Sequence, residues 1–226
     1  MHFLDLWQGR LVASTEKLKL FAPSLSDEEA CKARSFKLSE LGDRYVLVRG
    51  TLRHTLATYL DIEPAAVEYE IGEFGKPGLA NSGLHFNLSH TGDRLLVAVS
   101  DMADIGVDIE AVRPRRTLDS LAERCFSKNE YEAWRQLAVG ERLMVFYRLW
   151  TKKEAFVKAV GRGIAVGVER CEFALETGGS LVAVPDEYGP IGRWLAQELT
   201  VESGFSAAVV TPNRPHVLRY LSLDNS

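Results

Sequence analysis

The chain has 226 residues, 46% hydrophobic and 26% charged, an ordinary globular composition with enough apolar material for one large core or two small ones. Its 27 basic and 31 acidic side chains leave a formal charge of −4. With no long basic run, that balance speaks against nucleic acid as a partner. The densest basic spot, Arg113-Pro114-Arg115-Arg116, reads either as a solvated loop or as a docking patch. Cys31, Cys125 and Cys171 are far apart, odd in number and form no CxxC pair, which excludes a zinc knuckle or a disulfide framework. Cys125 and Cys171 sit among apolar residues and read as small buried hydrophobes. The first residues lack a secretion-signal layout, and no apolar run is long enough to span a bilayer. The expectation is therefore a cytoplasmic protein with no membrane partner.

Taken in chain order, Phe3–Trp7 suggests a short strand. Ser26-Asp27-Glu28-Glu29 reads as a capping box opening a helix to about Phe36. Apolar residues at helical spacing predict a longer helix over 41–60. Alternation after Pro64 (Val67, Tyr69, Ile71) signals a strand, and Gly75-Lys76-Pro77-Gly78 a loop. Three strands should follow at 84–88, 95–100 and 105–110, the first two joined by a turn containing Gly92-Asp93. Beyond Pro114 the pattern turns helical. Ser127-Lys128-Asn129-Glu130 is a second capping box, with a helix to about Leu137, and a further helix runs from Glu141 to Val160 with a break near Thr151. Strands are expected at 172–176, 181–184, 194–202, 207–211 and 217–221. Helices and antiparallel-type strands thus appear in each half, an α+β chain with two comparable halves and a boundary near 101–115.

Four segments carry chemistry. In Ile105-Gly106-Val107-Asp108-Ile109-Glu110, strand alternation puts Val107 and Ile109 on one face and Asp108 and Glu110 on the other. Two adjacent carboxylates either stay solvated or hold a hard cation such as Mg²⁺ between them. In Trp150-Thr151-Lys152-Lys153-Glu154-Ala155-Phe156-Val157-Lys158, Glu154 and Lys158 share a helical face. Here an ordinary capping box followed by a surface ion pair competes with a functional reading. Phe86-Asn87-Leu88-Ser89-His90-Thr91-Gly92 runs from an apolar strand to a polar tip whose Ser89 and His90 can donate to a phosphate. Phe74-Gly75-Lys76-Pro77 combines close backbone approach, stiffness and a positive charge.

In this order and at this spacing, the four segments resemble the 4'-phosphopantetheinyl transferases, specifically the longer type named after the surfactin-synthetase-activating enzyme. The resemblance spans about residues 26–165. It implies two similar α+β halves, 1–104 on the coenzyme A side and 105–226 on the metal and carrier side, related by a pseudo-twofold axis with the active site in the cleft between them. It implies Mg²⁺ on Asp108, Glu110 and Glu154. Coenzyme A, the co-substrate, would be held by Lys32, Arg44, Gly75, Lys76, Pro77, Ser89, His90 and Lys158. The catalytic residues would be Glu154 as general base, with Lys158 and His90 at the departing charge. The reaction would be transfer of 4'-phosphopantetheine from coenzyme A to a serine of an acyl, polyketide or peptidyl carrier protein, releasing adenosine 3',5'-bisphosphate. A monomer is expected, since one chain forms the cleft, and the longer type often serves secondary metabolism. Glu29 stands where many relatives carry a basic residue, and Tyr45 where some carry a small hydroxyl residue. A Mg²⁺-dependent hydrolase of coenzyme A-like pyrophosphates would need the same acids, with water in place of the serine.

Overall fold

The computed structural model describes residues 1–163, 167–176 and 178–224. In chain order the elements are β1 (His2–Arg10), α1 (Thr15–Phe21), α2 (Asp27–Arg34), α3 (Ser39–Leu60), β2 (Tyr69–Ile71), β3 (Pro77–Leu79), β4 (His85–Thr91), β5 (Arg94–Ser100), β6 (Gly106–Ala111), α4 (Leu118–Cys125), α5 (Lys128–Gln136), α6 (Val139–Val160), β7 (Glu172–Phe173), β8 (Leu181–Ala183), β9 (Trp194–Glu198), β10 (Phe205–Pro212) and β11 (His216–Ser222). The mixture is α+β, as expected.

Two sheets organise the chain. One has the order β11-β1-β5-β4, the other β6-β10-β9. Strand alternation sorts their apolar side chains into three cores. Val97, Val99 and Phe86 turn toward Val48, Leu52 and Leu56 of α3. Ala208 and Val210 turn toward α6, where Phe146, Leu149 and Phe156 are buried. Leu4, Leu6, Leu96 and Ala98 of the first sheet meet Val107, Ile109, Ala207 and Val209 of the second. The layers therefore run helix, sheet, sheet, helix. The last strand crosses back: β11 pairs in parallel with β1 and joins the first sheet. Asp5 locks this return, its buried carboxylate accepting from both Arg219 nitrogens at 2.6 Å and from Tyr59.

Both capping boxes form, at Ser26–Glu29 and Ser127–Glu130. One helix was not anticipated, and two local expectations are corrected. The segment before Ser26 contains a helix, α1, capped by Ser14; it lacks the acidic third residue that marked the other two starts. The helix entered at Val139 does not break at Thr151. That residue is fully buried, and its hydroxyl donates back to the Tyr147 carbonyl at 3.0 Å, one turn earlier. The strand expected over 172–176 is only two residues long.

Gly106 fixes how closely β6 lies on α6. A Cβ there would stand 2.1 Å from the Ala155 carbonyl oxygen and 2.4 Å from the Ala159 nitrogen, a clash with backbone that nothing small can relieve.

Candidate active site

β4 is an edge of the first sheet and β6 an edge of the second. They lie side by side, joined through β4 side chains. Asn87 Oδ1 accepts from the Val107 amide at 2.9 Å, Ser89 Oγ donates to Asp108 Oδ1 at 2.8 Å, and Thr91 Oγ1 reaches Glu110 Oε2 at 3.4 Å. These three residues alternate along one face of β4, and the pairings advance together along both strands. The opposite face of β4 turns Leu88 and His90 into a groove against α3. Ser89 and His90 thus serve different sides of the strand.

As alternation predicts, Val107 and Ile109 enter the core between the sheets while Asp108 and Glu110 share the other face. That face is not solvated: α6 covers it. Asp108 is buried, and its Oδ1 accepts from Lys158 Nζ at 2.7 Å as well as from Ser89. Lys158 also donates to the Val107 carbonyl at 3.0 Å. The simple Glu154–Lys158 surface pair is replaced by a Lys158–Asp108 bridge between helix and strand. Glu110 receives a long 3.4 Å contact from the Trp150 indole.

The three acids sense one another. Burial raises the pKa of Glu154 first, Asp108 and Glu110 raise it further, and Lys158 opposes them. Burial and then Asp108 raise Glu110. Asp108 Oδ2 is buried without a hydrogen-bond partner among the described residues. Among those residues no three His, Cys, Asp or Glu side chains close into a ready-made metal cage. The set nonetheless suits Mg²⁺, which commonly takes one or two carboxylates and completes its shell with substrate phosphate and water. An unpaired buried carboxylate oxygen beside two acids of raised pKa is the donor chemistry such an ion needs.

Arg44, His90 and Lys32 lie on two grooves, while Lys76 and Pro77 line a third. Arg44 and His90 line one of about 510 Å³ together with Phe36, Leu41 and Leu88. Arg44 Nη2 lies 3.3 Å from His90 Nδ1. His90 is open at the rim yet crowded by protein. That crowding lowers its pKa first, with Arg44 and Lys158 adding repulsion. Lys32 lines a second groove of about 970 Å³, and Tyr45 and Arg49 border both. Glu29 is buried beneath this second groove, paired with Arg49 at 2.5 Å and Arg53 at 2.7 Å. The acid at this position therefore neutralises part of its own basic surroundings. Gly75 sits in a tight turn with φ +85°, where glycine is favoured. Pro77 begins β3. The Lys76 ammonium lies on neither groove. It donates to the carbonyls of Ile105 and Ala159 at 2.9 and 3.0 Å.

Thr91, Trp150, Arg49 and Arg53 belong to this region without having been singled out from the sequence. Thr91 was readable: it continues the two-residue period of Asn87 and Ser89. The arginines carry no motif, because their partner Glu29 lies on a different helix.

The profile of the 4'-phosphopantetheinyl transferase superfamily matches residues 104–210. The chain is 38% identical to the 4'-phosphopantetheinyl transferase HetI of Nostoc over 91% of this chain and 86% of that protein. It is 28% identical to the transferase Sfp of Bacillus subtilis over 93% of each. It is 38% identical to AcpT of Escherichia coli over 53% of this chain and 58% of that one. Matched nearly end to end by HetI, with the acidic strand and α6 both inside the region of the family profile, the chain belongs to the 4'-phosphopantetheinyl transferase superfamily.

Proposed function

We propose that this protein moves 4'-phosphopantetheine from coenzyme A to a carrier-protein serine, with a divalent cation at Asp108, Glu110 and Glu154, acting as a cytoplasmic monomer. The observation that carries the reading is the convergence of three acids and Lys158 from β6 and α6 beside the seam with β4. In the described residues no helix is long and apolar enough to cross a membrane. The acids of β6 and α6 and the grooves beside α3 all come from one chain, which supports the monomer. The near-neutral composition favours carrier protein and coenzyme A over nucleic acid.

Asp108, Glu110 and Glu154 would hold Mg²⁺, which when bound supplies positive charge to the pyrophosphate. The chain's own residues supply the rest. Arg44 and His90 at one groove and Lys32 at the next offer the nucleotide phosphates a cationic wall. The turn at Gly75–Pro77 offers close backbone approach. Glu154 would take the serine proton, directly or through a water, as general base. The serine oxygen, losing its proton to Glu154, bonds to the β-phosphorus. The bridging P–O bond breaks, and its electron pair leaves on adenosine 3',5'-bisphosphate. Lys158 and His90 would meet that developing anion with positive charge or a proton. Arg113, Arg115 and Arg116 follow β6 directly, and Arg115 attracts Glu110 electrostatically. They would receive an acidic carrier surface.

The test is intact mass spectrometry of apo carrier proteins of the fatty-acid, polyketide and peptide classes, incubated with coenzyme A and Mg²⁺. A phosphopantetheine-sized gain that vanishes with EDTA is expected. Free phosphopantetheine without carrier modification would instead mean hydrolysis.

A further inference from the structure

Lys76 lies away from the grooves of Arg44, His90 and Lys32. It comes from the β2–β3 turn of the first half, closed by the Gly72 amide on the Lys76 carbonyl at 2.9 Å. Its stem crosses Gly161, where a Cβ would stand 3.1 Å from Lys76 Cδ. Its ammonium then donates to the Ile105 carbonyl, immediately before β6, and to the Ala159 carbonyl in the last turn of α6.

Both acceptors need a donor. The last carbonyls of a helix have no partner within it and carry the negative end of its dipole. Ile105 is fully buried, and a buried carbonyl left bare is costly. One ammonium satisfies the two at once. Burial pushes the Lys76 pKa down to about 8, and Asp104 opposes that shift.

The elements joined are the two that carry the acids. Asp108 and Glu110 ride on β6, Glu154 and Lys158 on α6. Lys76 touches the residue three before Asp108 and the one after Lys158. We propose that Lys76 is a positioning residue: a strut from the first half that sets the spacing between the acids of β6 and those of α6, rather than a ligand of the coenzyme A phosphates. This rests on the reading that those acids do the chemistry.

The side chain is suited to the task. A lysine stem is long enough to bridge two elements and flexible enough to place several donors. The neighbouring Phe74 ring lies 5.4 Å from the Arg162 guanidinium, a second contact from the same turn to the segment after α6.

The experiment compares wild type, Lys76→Met and Lys76→Arg in three readouts: kcat and KM for coenzyme A in carrier modification, the Kd of Mn²⁺ in the presence of coenzyme A, and Tm. Displacing reacting groups by ~1 Å can cost ~10²-fold. Lys76→Met should therefore lower kcat roughly 10- to 100-fold and weaken Mn²⁺ binding, with KM for coenzyme A within about 2-fold of wild type. Lys76→Arg, which keeps donors for both carbonyls, should recover most of both losses. A KM for coenzyme A raised at least about 10-fold with kcat and Mn²⁺ affinity intact would make Lys76 a phosphate ligand and overturn the proposal. A lower Tm with unchanged kcat and Mn²⁺ affinity would reduce it to a stability residue and overturn it equally. If Lys76→Met does not fold, Lys76→Gln, which keeps one donor group, carries the same comparison. A wild type that fails to modify any carrier while binding Mn²⁺ through Lys76-dependent acids would sink the transferase reading and leave the strut standing.

Discussion

The two long helices, α3 and α6, each have 22 residues and each cover one sheet, yet they spend their charges in opposite ways. α3 sends Arg44 and Arg49 toward open grooves, where its neighbour Glu29 on α2 balances Arg49 and Arg53. α6 turns Lys152, Lys153, Glu154 and Lys158 inward. Lys152 meets Glu198 at 2.8 Å, and Lys153 meets Glu130 at 2.7 Å with both partners essentially dry. Lys153 also donates to the carbonyls of Val168 and Cys171, anchoring the segment after α6. α3 therefore leaves basic side chains at open grooves. α6 holds a charge network whose geometry is set before any ligand arrives. The family profile matches residues 104–210, which include β6 and α6.

Glu154 and Lys153 are adjacent, so substitutions there separate chemistry from wiring most sharply. Glu154→Gln should lower kcat for carrier modification by about 10²–10⁴-fold, the usual worth of a general base, and leave urea unfolding nearly unchanged because its neighbours are mostly acids. Lys153→Met should do the reverse at first sight. Stranding Glu130 in the core is expected to cost about 3–5 kcal/mol in urea unfolding, a loss that the partly exposed Arg44 of α3 should not match.

Smaller effects concern the arginines that follow β6 and then the groove of the first half. Reversing Arg113, Arg115 and Arg116 to Glu should raise the carrier KM by about 10-fold, through weakened charge complementarity, and spare KM for coenzyme A. An unchanged carrier KM would remove these arginines from the docking surface. The smallest change concerns His90, whose pKa lies below 6.5 in the free protein through crowding, Arg44 and Lys158. A bound phosphate favours the imidazolium and raises that pKa, so binding takes up protons between the two values. Coenzyme A affinity should therefore rise a few-fold as pH falls from about 7.5 to about 6, with the slope set by linkage. Calorimetry in two buffers of different ionisation heat should show this uptake in wild type and lose it in His90→Gln.

Much of this was readable from the letters because it depends on local period. The capping boxes, the opposed faces of β6 and the long helix over α3 all follow from short-range spacing. The buried lysines were not. Nothing in the spacing of the two adjacent lysines names a partner, and it is the distant Glu130 and Glu198 that neutralise them in the interior. The break expected at Thr151 failed for a related reason: a Thr-x-x-Glu pattern marks a helix start only where the backbone amides are free, and within α6 they are already bonded. Lys76 was legible as a charge, but its partners are carbonyls, which every residue has and no motif records. Placing Asp108 in a dry seam needed β4, 19 residues away in the chain.

The most direct measurement is Mn²⁺ binding followed by electron paramagnetic resonance, with and without coenzyme A, in wild type and Asp108→Asn. The account predicts that wild type binds Mn²⁺ much more tightly with coenzyme A than without it, and that Asp108→Asn weakens the ternary affinity by at least about 10-fold, a loss that even groups merely orienting metal ligands can produce. Equal Mn²⁺ affinity in the two proteins would contradict it and move the metal away from the seam between β4 and β6.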